Sequence, residues 1–166
     1  MAAIVLSSLL ILSMVTGIIA MHFSKNDTQN HLIPEKVDIN GSNQWISLSD
    51  TLSPALKPVI LFLHGGPGSA NLSILNQLCP ELEKQAVIIN WDQRAAGKSF
   101  SIWRYFETLS LEQNIIDAHS LTQYIKNKYK VQKITLMGFS AGTALGMLLI
   151  KRYPEEQSVY WHLTSG

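Results

Sequence analysis

Hydrophobic residues along this chain form short continuous runs, which are separated and followed by segments with helical spacing. Three continuous apolar runs of strand length are typical of strands covered on both faces, and 158–163 predicts one more strand. The three runs lie at 58–63, 86–89 and 134–137. Between and after them, apolar residues follow helical spacing in 110–129 and 141–153. Strands that alternate with helices predict an α/β protein with a mostly parallel sheet.

The segment before these runs predicts a β-hairpin. Apolar and polar residues alternate in 37–39 and 44–48, and Asn40-Gly41 between them tolerates the positive φ of a tight turn. The polar residues before the hairpin predict a linker over 24–35. We therefore expect one globular unit over 36–166, a length that suits a single domain.

Residues 1–23 predict a targeting segment that is not part of this domain. From Ala2 to Phe23 the chain has no Asp, Glu, Lys or Arg. As a helix with a rise of about 1.5 Å per residue, this run can cross roughly 30 Å of hydrocarbon. We expect a membrane anchor with the domain on the extracytoplasmic side. The alternative is a secretory signal cleaved after Ala20, which would give a secreted protein.

Charge and cysteine content exclude several classes of function. The formal net charge is +1 and no run of Lys or Arg occurs, which argues against a nucleic-acid partner. Cys79 is the only cysteine, so an intrachain disulfide and a cysteine-based metal site are both excluded. No signature of a metal or an organic cofactor is present, and we expect neither.

Ser140 is the main candidate for chemistry. It lies in a Gly-Phe-Ser-Ala-Gly motif, directly after the 134–137 run and directly before a predicted helix, as in a nucleophile elbow. The chain reverses sharply there, and Gly138 and Gly142 remove the steric collisions that larger residues would cause. The helix N-terminus presents N–H groups to a developing anion. The alternative is that Ser140 is a simple helix N-cap.

A glycine-rich turn follows the 58–63 run. It reads His64-Gly-Gly-Pro-Gly, and backbone N–H groups in such a turn can form an oxyanion hole with the N–H that follows the nucleophile. The expected donors are Ala141 and either Gly65 or Gly66, and His64 is expected to hold the loop by hydrogen bonds. A phosphate-binding loop is the alternative, but its glycine and lysine spacing is missing.

A third motif, Asp-Gln-Arg-Ala-Ala-Gly-Lys-Ser, follows the 86–89 run. These three motifs, in this order on successive strands, resemble the prolyl iminopeptidase family of α/β-hydrolases. The resemblance extends from about Val37 to the C-terminus and includes Gln44-Trp45-Ile46. It implies an α/β-hydrolase fold and a serine aminopeptidase that releases N-terminal proline or a similar residue. The expected substrates are peptides or small acyl compounds, bound covalently through an acyl-enzyme on Ser140.

In that family the third motif braces the active site. The chemistry of Asp92 and Arg94 suits this role, since the two can form a bidentate ion pair. We expect both residues to support the site, with direct substrate contact as the alternative. Ala95 replaces a common glycine of the family, and Ala141 replaces a tryptophan, which weakens the expectation of strict proline specificity.

No histidine of this sequence fits the role of catalytic base. A serine hydroxyl needs such a base, and α/β-hydrolases place it, after an acidic residue, beyond the serine. The five histidines are His22, His31, His64, His119 and His162. The resemblance implies the N-terminal portion of a hydrolase, without the cap and later strands that carry the acid and histidine. We expect the chain alone to aggregate and to be nearly inactive. The alternatives to an aminopeptidase are another acyl hydrolase, such as an esterase, or a catalytically dead membrane-tethered remnant.

Overall fold

A six-stranded sheet organises the computed structural model. The structure describes residues 32–49, 57–66, 72–101, 110–154 and 159–163. The strands are β1 (Leu32–Ile39), β2 (Ser42–Ser49), β3 (Val59–Leu63), β4 (Val87–Asp92), β5 (Thr135–Phe139) and β6 (Val159–Leu163). Their order is β1-β2-β4-β3-β5-β6; β1 and β2, and β2 and β4, pair antiparallel, and the other neighbours pair parallel. The predicted mostly parallel sheet with an N-terminal hairpin is confirmed.

Three α-helices lie within the described residues, and two of them match the predicted helical segments. They are α1 (Ile74–Leu78), α2 (Leu111–Tyr129) and α3 (Ala141–Arg152). Ser110 caps α2 as its sequence predicts, because the Gln113 N–H donates to its hydroxyl oxygen at 3.0 Å. Short 3₁₀ turns follow α1 at Pro80–Lys84 and β4 at Gly97–Ser99.

The core occupies both faces of the sheet. Successive residues of β3 point to opposite faces, and all five are buried. Leu61 and Leu63 belong to the cluster that α2 and α3 cover, whereas Ile60 and Phe62 belong to a second cluster beneath α1. This double coverage explains why the strand has no polar alternation.

Two strand boundaries differ from the sequence expectation. β1 begins at Leu32, inside the predicted linker, and pairs there with Ser49 of β2. It is an edge strand with an exposed Ile33, so its mixed composition resembles that of a loop. β4 continues to Asp92, since Asn90 and Asp92 are buried with hydrogen bonds that a hydrophobic pattern does not reveal.

Within the described ranges, no helix combines the length and the apolar character needed to span a membrane. The predicted anchor or signal segment, residues 1–23, lies outside those ranges.

Candidate active site

Ser140 occupies a strained turn between β5 and α3. Its backbone has φ 51° and ψ −120°, a conformation that an L-residue adopts only at a cost of about 1–3 kcal/mol. The side chain is exposed and makes no capping hydrogen bond to α3. This geometry argues against the simple N-cap alternative, because the helix does not use the hydroxyl.

Glycine at the two ends of the elbow motif is required by close backbone contacts. A Cβ atom on Gly142 would lie 2.0 Å from the carbonyl oxygen of Leu63, at the end of β3. A Cβ atom on Gly138 would lie 2.8 Å from the carbonyl oxygen of Gly142. The first turn of α3 therefore rests directly on β3, and any side chain would push the two elements apart.

The glycine-rich turn after β3 lies directly against Ser140. β3 and β5 pair in parallel, with Leu63 opposite Gly138, so the loops that follow these two strands begin at the same end of the sheet. A Cβ atom on Gly65 would lie 2.9 Å from the Cβ atom of Ser140. This turn and Ala141 are the predicted sources of the oxyanion donors, and both backbone segments lie beside the serine.

His64 is buried between the turn and the loop that follows β4. The backbone N–H of Gln93 donates to its Nε2 atom at 3.2 Å, and the Nδ1 atom lies 2.7 Å from the carbonyl oxygen of Gly65. Because Nε2 accepts, the ring proton is on Nδ1 and is donated to Gly65. Burial lowers the pKa of His64, against opposing effects of the Gly65 bond and the Asp92 charge. Both ring nitrogens are therefore engaged in holding the loop.

Asp92 does not pair with Arg94, so the expected bidentate pair between them is wrong. One carboxylate oxygen of Asp92 accepts the backbone N–H of Lys98 at 2.8 Å, and the other, Oδ1, has no hydrogen-bond partner among the residues that the structure describes. Burial raises the pKa of Asp92, although the Lys98 N–H and the charges of His64 and Lys98 oppose the rise. Through its bond to Lys98, the Asp92 side chain closes the turn that follows β4.

The ion-pair partner of Arg94 is Asp117, in the middle of α2. Arg94 Nε donates to Asp117 Oδ2 at 2.7 Å and Nη2 donates to Oδ1 at 3.0 Å. Both side chains are almost entirely buried. The pair is bidentate, as predicted for Arg94, but the carboxylate is that of Asp117 on the predicted helix 110–129 and not that of Asp92.

Asp117 also bonds to the hairpin and to the first turn of its own helix. Its carboxylate accepts hydrogen bonds from the side-chain amides of Asn40, Gln44 and Gln113, at 2.7–2.9 Å. Burial alone would raise its pKa, but the bonds from Arg94 and these amides outweigh burial and hold the pKa below its ordinary value. The signal that could have identified Asp117 as the partner of Arg94 is a charged residue among the buried positions of α2.

Ser99, in the loop after β4, connects two parts of the site region. Its hydroxyl donates to the carbonyl oxygen of Asp92 at 2.6 Å and accepts the backbone N–H of Trp45 at 2.8 Å. The final serine of the third motif therefore fastens the loop after β4 to the hairpin strand β2.

Among the described side chains, no hydrogen bond joins a histidine to Ser140. His64 is engaged as above, and the ring of His119 stacks on Tyr153 at 3.7 Å between centroids. His22, His31 and the side chain of His162 lie outside the described part. That part also contains no group of three His, Cys, Asp or Glu side chains placed to hold a metal ion.

Comparison with known proteins agrees with this architecture. The family model described as alpha/beta hydrolase fold matches residues 58–159, which is more than half of the chain and includes both loops and the elbow. The chain belongs to the alpha/beta hydrolase fold family. Ser140 thus lies in the strained turn between β5 of an α/β-hydrolase sheet and the helix that follows it.

Two curated relatives of this α/β-hydrolase come from Bacillus subtilis strain 168. One is named "Probable aminopeptidase YbaC", is 27% identical over 141 residues, and covers 80% of this chain and 44% of its own length. The other is named "Uncharacterized hydrolase YraK", is 29% identical over 102 residues, and covers 61% of this chain and 35% of its own length. The α/β-hydrolase described here thus spans less than half the length of each curated relative.

Solved structures show the same fold. A proline iminopeptidase-related protein of Thermus thermophilus is 18% identical with a TM-score of 0.62, over 77% of this chain and 43% of that one. An epoxide hydrolase of Vigna radiata is 21% identical with a TM-score of 0.62, over 82% of this chain and 41% of that one. Together with the aminopeptidase relative, the Thermus thermophilus match confirms the expected resemblance to prolyl iminopeptidase-like α/β-hydrolases.

Proposed function

We propose that this α/β-hydrolase chain carries the nucleophile of a serine hydrolase, and that Ser140 is that nucleophile. The observation that supports this most directly is the positive φ of Ser140, which is held in place by glycine contacts to β3 and by the turn at Gly65. Such strain persists only where the surrounding structure enforces it, and it places the hydroxyl at the N-terminus of α3.

In the proposed reaction, the Ser140 Oγ atom attacks an acyl carbon while a base takes its proton. The new C–O bond moves an electron pair to the carbonyl oxygen, and backbone N–H groups of Ala141 and of Gly65 or Gly66 bind the oxyanion. Donors of this type are worth roughly 3–4 kcal/mol each, because they are in place before the charge develops. The protonated base gives its proton to the leaving group as the bond from the acyl carbon breaks, which leaves an acyl-enzyme. Water then attacks the acyl carbon, its proton passes through the base to Ser140 Oγ, and the free acid is released. The base is not His64, since both its ring nitrogens are engaged.

We propose that the whole protein is an aminopeptidase, with peptides as its substrates. The relative named as a probable aminopeptidase and the proline iminopeptidase-related structure support it, whereas the epoxide hydrolases share the fold only. The competing class is an esterase with the same elbow. Comparing Ser140-dependent turnover of L-proline p-nitroanilide and p-nitrophenyl butyrate separates the two, because an esterase would hydrolyse only the ester.

The nucleophile assignment is tested by labelling with a fluorophosphonate in a buffer that contains imidazole, which supplies an external base. Peptide mapping by mass spectrometry then compares Ser140 with Ser110, an exposed serine that lacks a surrounding elbow. One preformed oxyanion donor contributes about 10²-fold or more, so Ser140 should react at least about 10²-fold faster. Equal labelling of both serines, or unchanged labelling of the Ser140→Ala variant, would contradict the assignment.

We also propose that residues 1–23 anchor the protein in a membrane, with the hydrolase domain on the extracytoplasmic side. The support is the uncharged run from Ala2 to Phe23. Alkaline extraction of membranes from expressing cells should leave the full-length chain in the pellet, and external protease should digest the domain. Release of a chain that begins after Ala20 would instead establish a cleaved signal and a secreted protein.

A further inference from the structure

Asp117 belongs to none of the three sequence motifs, yet it is completely buried and charged. It lies in the middle of α2, and its two carboxylate oxygens accept five hydrogen bonds. We propose that Asp117 is a positioning residue for the Ser140 site, and that it acts through Arg94, Gln93 and His64 on Gly65. This inference rests on the proposed function, because Gly65 borders the proposed oxyanion hole.

The first step of this relay is the ion pair with Arg94. Two parallel hydrogen bonds fix the plane of the guanidinium, and a third, longer one runs from Arg94 Nη2 to the carbonyl oxygen of Ile39 at 3.4 Å. Arg94 has little freedom in this environment, since its side chain is 4% exposed. The backbone of the loop after β4 is therefore tied to α2 at this residue.

The second step is the contact between that loop and His64. Gln93, the residue before Arg94, makes two hydrogen bonds to His64: its backbone N–H donates to Nε2, and its side-chain amide donates to the His64 carbonyl oxygen at 3.1 Å. The position of Gln93 thus determines which ring nitrogen of His64 accepts a bond. Moving the loop would remove the donor that keeps Nε2 unprotonated.

The third step leads from His64 to the serine. His64 Nδ1–H donates to the carbonyl oxygen of Gly65, whose backbone lies against Ser140. A peptide unit is planar and this one is trans, so fixing the Gly65 carbonyl also fixes the direction of the Gly66 N–H. Through this unit, the orientation of the His64 ring sets the direction of a proposed oxyanion donor.

A purely structural role for Asp117 makes a different prediction. In that case its bonds to Asn40 and Gln44 only fasten α2 to the hairpin, and its bond to Gln113 only stabilises α2 itself. Its replacement would then lower stability without a specific effect on His64. The state of the His64 ring therefore distinguishes the two roles, because global stability does not change a tautomer in the molecules that remain folded.

The experiment uses the full chain with nitrogen-15 in its histidine rings and records their signals by NMR, with a His64→Gln variant to assign His64. The parent chain should show one protonated and one unprotonated nitrogen in a single tautomer. Asp117→Asn places an amide among groups that all donate, and Arg94→Lys keeps the charge but loses the bidentate geometry. Both variants should lose the single-tautomer signature and accelerate hydrogen exchange of the Gln93 amide by roughly tenfold relative to β3 amides.

Thr122→Val is the matched control. Thr122 is as deeply buried on the same helix, and its hydroxyl donates to Ala118 within α2 rather than to the site. It should lose stability but keep the His64 signature. If Asp117→Asn unfolds, the Arg94→Lys variant provides the test. The relay is overturned if His64 keeps its single tautomer in a folded variant that has lost the bidentate ion pair. Absence of preferential Ser140 labelling together with an altered ring would instead contradict the proposed function and leave the relay standing.

Discussion

Replacing Gly142 with alanine tests the contact on which the elbow depends. A methyl group on Gly142 would lie 2.0 Å from the carbonyl oxygen of Leu63, 2.6 Å from its carbonyl carbon and 2.7 Å from the carbonyl oxygen of His64. Ordinary non-bonded contacts are about 3.5 Å or more, so the overlap is severe. All three atoms are backbone atoms at the end of a central buried strand, and no side-chain rotation relieves the clash.

The magnitude follows from the kind of atom that is displaced. Overpacking a core costs typically about 1–3 kcal/mol when side chains can adjust, and more when they cannot. Here β3 or the first turn of α3 must shift, so we expect a loss of at least about 3 kcal/mol. Gly41→Ala is the control, because Gly41 has φ 72° but nothing within 4 Å of the added methyl. Its backbone strain alone costs roughly 1–2 kcal/mol.

Urea unfolding followed by tryptophan fluorescence, to which buried Trp91 contributes, measures both variants in the full chain. The free energy of unfolding should decrease in the order parent, Gly41→Ala, Gly142→Ala. Its slope against urea concentration should be the same for the parent and for Gly41→Ala. A loss for Gly142→Ala no larger than that for Gly41→Ala would refute the packing of the elbow on β3. It would also remove the steric reason for the strained Ser140 backbone.

Three further predictions concern the buried ionisable residues Asp117, Asp92 and His64. Asp117→Ala should lower the free energy of unfolding by about 3–5 kcal/mol in urea titrations, because it leaves the buried Arg94 without its counter-charge. Asp92→Asn should either change the free energy of unfolding by less than about 1 kcal/mol or increase it, because burial disfavours the charge and one oxygen lacks a partner among the described residues. Equal losses of stability in Asp117→Ala and Asp92→Asn would show that the two carboxylates are not in different environments. Burial also lowers the pKa of folded His64 below its ordinary 6.5, so the unfolded chain binds more protons and stability should fall as the pH drops from 7 to 5. The slope should flatten in His64→Gln, and an identical slope in both proteins would mean that His64 titrates normally.

The part of the site that the sequence predicted is the part with local causes. The Ser140 elbow needs small residues at 138 and 142, and the sheet needs apolar runs where strands are covered on both faces. Both requirements are met within a few consecutive residues, so they leave a pattern in the sequence. The cap of α2 at Ser110 is local in the same way.

Other features depended on which elements pack together. Sequence proximity suggested Asp92 as the partner of Arg94, whereas the folded chain brings in Asp117, which is 23 residues away. β1 was similarly missed at Leu32, because its pairing with β2 leaves no strong alternation at an exposed edge.

The sequence by itself determined the order of the strands along the chain, the elbow and the glycine-rich turn. The tertiary structure decided how the turn, the loop after β4 and α2 are joined through His64, Arg94 and Asp117. The physical reason is that steric limits and burial periodicity act on neighbouring residues. A buried polar group instead takes whichever partner the packing of distant elements places within hydrogen-bond distance.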